Sequence, residues 1–423
     1  MAQSRRLRPR AKPSQTVTAS IDAIGVRGDG VARVGGRTIY VPFTAPGDVA
    51  EIEAAGERGI LKSLSKKSDF RREPPCKHCG QCGACALQHV SEDFYKNWKA
   101  ERVAEAIIRE GFSAGIVRPV IFCAAASRRR ALFAVRKKQG NVILGFHERA
   151  SRRIVDIEEC HVMTPALAAA LPALKDFARA VCEYSDAFNL LATACENGID
   201  INLRGTVDLD GPGAFADVSD AAREADFLRL AINNETLVEF KTPVVSFGEI
   251  SAVIPPGAFL QASRRGEEAI LNAITNELNG ESRIADLFCG CGSFSLPLSK
   301  QTQVKAYDSE RRAIHSLEKT AKAGGLNVDP QRRDLFRNSL TPLELNEFDA
   351  IVIDPPRAGA AAQASEIAKS AVPLVISVSC NPSTFARDAS ILRDGGYELT
   401  KVTPVDQFVY SPHIEIAGVF RRQ

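Results

Sequence analysis

The sequence predicts a multidomain α/β protein, with a doubly wound parallel sheet at the C-terminus, a small β-barrel at the N-terminus and an α+β domain between them. Three observations carry this expectation. From about residue 245 onward, short apolar, β-branched runs alternate with helical patterns, as in a parallel sheet covered on both faces. Over residues 14–66 the chain alternates in the β manner between closely spaced turn signals, which suits a small barrel. Between these regions four cysteines, Cys76, Cys79, Cys82 and Cys85, crowd into ten residues. The expected partition is a disordered basic arm over 1–13, a barrel over 14–66, a central domain over 67–244 and the doubly wound domain over 245–423.

A chain of 423 residues can bury several cores. Its net charge of +3 says little about partners, so local clusters matter more. No stretch is long and apolar enough to span a membrane. Arg5, Arg6, Arg8 and Arg10 are followed by no apolar core, which excludes a secretory signal and leaves an organellar presequence or a nucleic-acid-binding arm. The eleven cysteines, an odd number without an export signal, point to a reducing compartment and to metal or catalytic roles.

Strands are expected at Thr16-Val17-Thr18, Val31-Ala32-Arg33-Val34, Thr38-Ile39-Tyr40-Val41 and Ala50-Glu51-Ile52-Glu53, parted by Gly28-Asp29-Gly30, Gly35-Gly36 and Pro46-Gly47-Asp48. A five-stranded barrel of this size is a common single-strand nucleic-acid platform and as often a spacer. In the cysteine stretch, thiolates at every third residue repel one another unless a cation holds them, and zinc and an iron–sulfur cluster both suit that donor set. A helix is expected over 91–110, where Phe94, Trp98, Val103 and Ile107 recur at helical spacing. Residues 128–138 and 142–146, joined by Gln139-Gly140-Asn141, read as a hairpin. Its cations, Arg129, Arg130 and Arg136 among them, suit an RNA backbone. Cys160 follows, and residues 163–195 read as helical.

In the C-terminal block, a strand over 283–288 runs into Cys289-Gly290-Cys291-Gly292-Ser293, a nucleotide-type turn whose third glycine is replaced by Ser295. The next strand ends at Asp308, an acid suited to ribose hydroxyls. No Walker lysine follows, so an adenosyl cofactor without a phosphate tail fits best. Asp354 closes another strand ahead of Pro355-Pro356, which stiffen the backbone beside a planar ligand. The buried strand over 372–379 ends before Cys380, and Asn381-Pro382 starts a helix with Phe385, Ala389 and Leu392 on one face. A free cysteine is usually a small packed residue. Acids at the same carboxyl edge favour a nucleophile instead. Glu415 stands in an otherwise apolar strand, where a carboxylate is costly unless it has a task or a partner.

Together these residues resemble the RNA uridine-5-methyltransferases, enzymes that use S-adenosylmethionine to methylate carbon 5 of uridine, and within them the iron–sulfur branch acting on 23S ribosomal RNA. The resemblance runs from about residue 14 to the end. It implies a Rossmann-like methyltransferase fold behind an OB-like TRAM barrel. The branch motif, Cys-x5-Cys-Gly-(Gly/Ala)-Cys-x2-Gln-His, falls on Cys76, Cys82, Cys85, Gln88 and His89, with Cys160 as a remote ligand. That implies a 4Fe-4S cluster and leaves Cys79 aside. The cofactor contacts implied are Gln261, Phe288, Ser293, Asp308, Asp334 and Asp354; the nucleophile is Cys380 in an intact Ser-Cys-Asn-Pro, and the general base is Glu415. Relatives often carry asparagine at Ser263 and Ser293 and glutamate at Asp308. The expected enzyme is a cytoplasmic monomer acting on 23S ribosomal RNA, with transfer RNA as the alternative. A nucleobase N-methyltransferase has no use for Cys380, a non-catalytic RNA-binding assembly factor needs no cofactor loop, and an iron–sulfur electron carrier explains nothing after residue 245.

Overall fold

The computed structural model describes residues 14–423, and the arm expected over 1–13 lies outside the described residues. One compact unit ends at Tyr95 and takes in Tyr410–Pro412; a second holds Lys96–Val409 and His413–Gln423. The first unit contains a closed five-stranded barrel of β1 (Gln15–Ile24), β2 (Gly30–Val34), β3 (Arg37–Val41), β4 (Val49–Ala55) and β5 (Arg58–Lys66), in the order β1-β2-β3-β5-β4. Gly35 and Gly36 both adopt positive φ, the two-residue turn whose twist matches that of the strands it joins. Alternate residues, including Ile21, Ile39, Val41 and Ile52, point inward and fill the barrel. Asp48 is buried and accepts from the Ala45 and Ser68 amides and from Arg71 at 2.6 Å, which fixes the chain as it leaves β5. The barrel expected over 14–66 is thus present.

Helix α1 (Glu92–Arg109) follows, as its periodicity required. The second unit contains two large sheets. The first is built from β7 (Arg130–Lys138), β8 (Asn141–His147), β9 (Ile154–Asp156), β10 (Ala187–Cys195), β11 (Gly198–Arg204), β12 (Phe227–Ile232) and β13 (Glu235–Glu239), in the order β13-β12-β11-β10-β7-β8-β9. Helices α2 (Pro165–Ala169), α3 (Leu171–Val181) and α4 (Ala214–Glu224) contribute to the same core. The helical expectation over 163–195 therefore fails at its end: residues 187–195 are strand β10, paired to both β7 and β11. Phe188, Leu190, Leu191 and Ala192 form a short apolar run whose period does not separate strand from helix, and burial between two partner strands decides it.

The expected hairpin is β7 and β8, but its charge is only partly turned outward. Arg136 and Lys138 are exposed, Lys137 pairs with Glu183 at 3.0 Å, and Arg129, just before β7, is buried against Glu267 at 2.5 Å. Arg129 is thus removed from the expected RNA contacts. Between the large sheets in sequence lies a small hairpin, β14 (Val244–Phe247) with β15 (Ile250–Val253).

The second large sheet is the expected doubly wound one. It comprises β6 (Ile121–Phe122), β16 (Arg283–Leu287), β17 (Gln303–Asp308), β18 (Val328–Arg332), β19 (Ala350–Ile353), β20 (Leu374–Ser379), β21 (Tyr397–Asp406) and β22 (Glu415–Arg422), in the order β18-β17-β16-β19-β20-β22-β21-β6. Its helices are α5 (Arg264–Thr275), α6 (Ser295–Leu298), α7 (Arg311–Ala323), α8 (Pro342–Leu345), α9 (Ala361–Lys369) and α10 (Pro382–Asp394). Strands β16 to β20 are parallel to one another, and only β22 runs against its neighbours. Ile284, Val352 and Ile376 face one core and Ala285, Ile351 and Val375 the other, so both faces are buried. Among the described residues no helix is long and apolar enough to cross a membrane.

Candidate active site

Strands β16, β17, β19 and β20 end at one edge of this sheet, the edge at which open α/β sheets bind ligands. Because β22 runs the opposite way, it begins there. Ser379 is paired with Ile416, and one step further in the same register brings Cys380 level with Glu415. Neighbouring strands lie about 4.8 Å apart, so the backbone alone makes these two residues neighbours. Cys380 also precedes the N-terminus of α10, where Asn381 accepts from the Ser383 amide at 3.2 Å and Pro382 occupies the first turn. Asn381 and the Thr384 hydroxyl both donate to the Arg357 carbonyl at 3.3 Å, and Asp388 accepts from the Ala360 amide at 2.8 Å. These bonds tie the loop after Asp354 to α10. Gly359 in that loop has φ +74°, and a Cβ there would meet Arg387 at 2.5 Å and Asp388 at 2.6 Å.

Behind the edge runs a chain of amides and carboxylates in which Gln261, Gln407 and Glu415 are buried and Asp354 is half-buried. Gln261 donates to Asp354 at 2.8 Å, and Gln407 donates to Gln261 Oε1 at 2.6 Å and to Glu415 Oε1 at 3.1 Å. Gln407 Oε1 accepts from the Ser263 amide at 3.3 Å, and Ser263 caps α5 through Gly266. Arg129 braces the chain from behind, donating to the Gln261 carbonyl at 2.9 Å and to Glu267. Lys99 of α1 is fully buried, pairs with Asp406 at 2.9 Å and donates to the His413 carbonyl, which fixes the segment leading into Glu415.

The electrostatics follow from this burial. Desolvation, together with nearby Asp286, pushes the Asp354 carboxyl up to about 7, opposed by the Gln261 bond. Desolvation and Asp354 carry Glu415 to about 8, with Gln407 opposing. Cys380 rises to about 11 through burial, Glu415 and Asp354, with Arg357 opposing. His413 falls to about 4, because it is buried beside Arg357, Lys99, Arg102 and Arg128. Burial thus biases these acids and the thiol toward their protonated forms, and a positive charge placed beside them would favour the ionised ones.

The glycine turn follows β16. Phe288 adopts φ +64°, an unusual conformation for a side-chain-bearing residue, and its ring lies 5.2 Å from that of Phe336. Asp308 at the end of β17 accepts from the Gly290 amide at 3.0 Å and from the Glu310 amide at 2.8 Å. Its carboxylate is thereby fixed beside the turn with lone pairs to spare. Ser293 is half-buried in the turn. Asp334, just after β18, caps its own loop by accepting from the Phe336 amide at 3.1 Å. Asp286 lies deeper, bonded to the Ser295 hydroxyl at 2.5 Å, and is a support for α6 rather than part of the rim.

The chain is similar to known proteins along most of its length. Residues 326–423 fit the tRNA (uracil-5-)-methyltransferase family, 253–373 a methyltransferase small domain, and 18–62 a TRAM domain of tRNA (uracil(54)-C(5))-methyltransferases. An uncharacterized RNA methyltransferase of Brucella suis is 40% identical, over 97% of this chain and 99% of its own length. The chain belongs to the RNA uracil-5-methyltransferase family. It is an S-adenosylmethionine-dependent RNA methyltransferase. The 23S rRNA (uracil(1939)-C(5))-methyltransferase of Pectobacterium atrosepticum is 29% identical over 97% of this chain and 95% of its own. The Pyrococcus abyssi tRNA (uracil-54, C5)-methyltransferase, solved with S-adenosyl-L-homocysteine, superposes with a TM-score of 0.72 over 96% of this chain and all of its own, at 21% identity, and so shares the fold.

In this RNA uracil-5-methyltransferase the cysteine stretch is a series of turns: the Cys79 amide donates to the Cys76 carbonyl at 3.0 Å and the Cys82 amide to that of His78 at 2.9 Å. Burial, with Cys76 and Cys82 close by, raises the Cys79 thiol to about 11. The donor chemistry suits a thiolate-bound cluster. As placed, no three or more His, Cys, Asp or Glu side chains converge to hold a metal ion among the described residues. Cys160 lies in the second unit, packed beside the core of the seven-stranded sheet. The structure also adds residues that the sequence did not single out. Gln407, Glu267 and the Lys99–Asp406 pair act through partners far away in the chain, and no local pattern marks them.

Proposed function

We propose that this chain methylates carbon 5 of a uridine in 23S ribosomal RNA through a covalent adduct between Cys380 and carbon 6 of the uracil. The observation that carries the reading is the register that sets Cys380 beside Glu415 on the ligand-binding edge. When bound, S-adenosylmethionine supplies an electrophilic methyl group on a positively charged sulfur. Gln261, Phe288, Ser293, Asp308, Asp334 and Asp354 are the residues proposed to hold it, and its charge offsets the buried acids that keep the Cys380 thiol high.

The Cys380 thiolate forms a bond to carbon 6, and the electron pair of the 5,6 double bond makes carbon 5 nucleophilic. Carbon 5 forms a bond to the methyl carbon as the methyl–sulfur bond breaks, and that bond's electron pair stays on the sulfur, which becomes neutral. Glu415 then removes the proton from carbon 5, the double bond re-forms, and the Cys380 sulfur leaves with the electron pair of its bond to carbon 6. The uridine must be unstacked to reach the edge, which favours a single-stranded target.

The ribosomal reading rests on the relative named for 23S RNA, and transfer RNA is the second reading because the C-terminal family is named for it. Mapping 5-methyluridine in ribosomal and transfer RNA from a deletion strain decides between them. Complementation by Cys380→Ala tests the covalent route: restored methylation refutes it and revives a nucleobase N-methyltransferase. Cys76, Cys82, Cys85 and Cys160 are further proposed as ligands of a 4Fe-4S cluster with a structural or RNA-positioning role rather than a part in the chemistry. Iron and labile sulfide in equal amounts, lost in Cys160→Ser and kept in Cys79→Ser, is the expected result; zinc without sulfide contradicts it. The enzyme is proposed to act as a monomer in the reducing cytoplasm.

A further inference from the structure

We propose that Gln407 is a positioning residue for the base: it orients the Glu415 carboxylate, seals one of its oxygens and leaves the other as the acceptor for the carbon 5 proton. This deepens the reading of Glu415 as the base and rests on it. Gln407 is the first residue after β21, whose C-terminal end lies at the same edge as that of β20. Its amide is held in one sense. The oxygen accepts from the Ser263 amide at 3.3 Å, and the nitrogen gives one hydrogen to Gln261 Oε1 at 2.6 Å and the other to Glu415 Oε1 at 3.1 Å. Turning the amide over would set its oxygen against two other oxygens.

Glu415 Oε2 is buried and has no partner among the described residues. With Oε1 occupied, Oε2 is the atom left to receive a proton. Room is made for this amide by Gly266, where a Cβ would lie 2.6 Å from Gln407 Cβ and 2.9 Å from its Oε1. The titratable groups that face Glu415 are Asp354 and Cys380; Asp286 acts in turn on Asp354 and Arg357 on Cys380. Gln407 therefore supplies a neutral donor among acids, which favours the ionised base.

The test follows the two halves of the reaction separately in Gln407→Met, which keeps length but carries no N–H. Full-length enzyme, substrate RNA and methyl-labelled S-adenosylmethionine at saturation are mixed and quenched, and labelled covalent adduct and free labelled RNA are counted. Label should still enter the adduct, and that adduct itself reports folded enzyme. Its decay to free RNA should slow roughly tenfold to a hundredfold, the effect of losing a hydrogen bond to a charged group. The acid limb of the decay-rate profile should move up by about one to two pH units. Gly266→Ala, which displaces the amide without removing it, should shift both in the same direction. Decay at the wild-type rate with an unmoved acid limb overturns the proposal, as does slowed methyl transfer with unchanged decay. Glu415→Gln run alongside separates the two readings. If it accumulates labelled adduct while Gln407→Met decays normally, only the role of Gln407 falls; if it accumulates none, the base assignment falls and the proposal with it.

Discussion

Replacing Glu415 by glutamine should make the protein more resistant to unfolding as pH rises, although it disables the site. Burial, then Asp354, raises this carboxyl from 4.5 to about 8. A raised folded value means that the folded state holds the proton more tightly than the unfolded chain. Its contribution to stability is therefore fully present below about pH 4.5 and is lost as pH climbs through about 8. Each pH unit inside that window is worth about 1.4 kcal/mol. From about pH 5.5 to 7.5 the ceiling is about 3 kcal/mol, and interaction with Asp354 reduces it, so about 1–3 kcal/mol is expected. Glutamine cannot ionise. Its amide leaves hydrogens without an acceptor at a cost of about 1–3 kcal/mol, but that cost does not vary with pH and cancels when the two conditions are compared. Thermal unfolding of both proteins without cofactor at the two pH values is the assay, read on the transition of the doubly wound domain. At about 2–4 °C per kcal/mol, the variant should gain several degrees on the wild type between the lower and the higher pH. A difference in Tm that is the same at both values would refute the view that Glu415 is held protonated by burial.

Arg129→Met strands the Glu267 carboxylate in the interior and should destabilise by about 3–5 kcal/mol in urea unfolding. It should also weaken S-adenosylmethionine binding in calorimetry, because Arg129 supports the Gln261 carbonyl. Gly359→Ala places a side chain at φ +74° against Arg387 and Asp388; about 1–2 kcal/mol of stability and on the order of tenfold to a hundredfold of kcat should be lost through displacement of the 355–359 loop. Removing the exposed cations Arg136 and Lys138 together should flatten the dependence of RNA affinity on salt by about 0.7 in log–log slope for each phosphate they neutralise, and an unchanged slope would mark them as a solvated face.

The candidate edge of the doubly wound sheet was legible because its candidate residues stand at strand ends. Asp308, Asp354 and Cys380 each close or follow an apolar run, and such runs are read directly from residue type. The barrel was legible for the same reason, through alternation punctuated by Gly35-Gly36. What stayed hidden depends on partners distant in sequence. Arg129 reads as one of a row of surface cations, yet its partner Glu267 is 138 residues away, so its burial has no local sign. Strand β10 carries mostly leucine and alanine, with Thr193 as its one β-branched residue, and its pairing with β7 and β11 makes it a strand. Gln407 is an ordinary polar residue until the fold sets Gln261 and Glu415 on either side of it.

The central claim is that Cys380 adds to uracil before the methyl group moves and that Glu415 acts only afterwards. Glu415→Gln enzyme incubated with RNA and methyl-labelled S-adenosylmethionine should yield a heat-stable species on a denaturing gel that carries the label. Nuclease and protease digestion followed by mass spectrometry should give one peptide containing Cys380, heavier by a methylated uridine nucleotide. Free methylated RNA released at the wild-type rate, or an adduct without label, would contradict this order of steps.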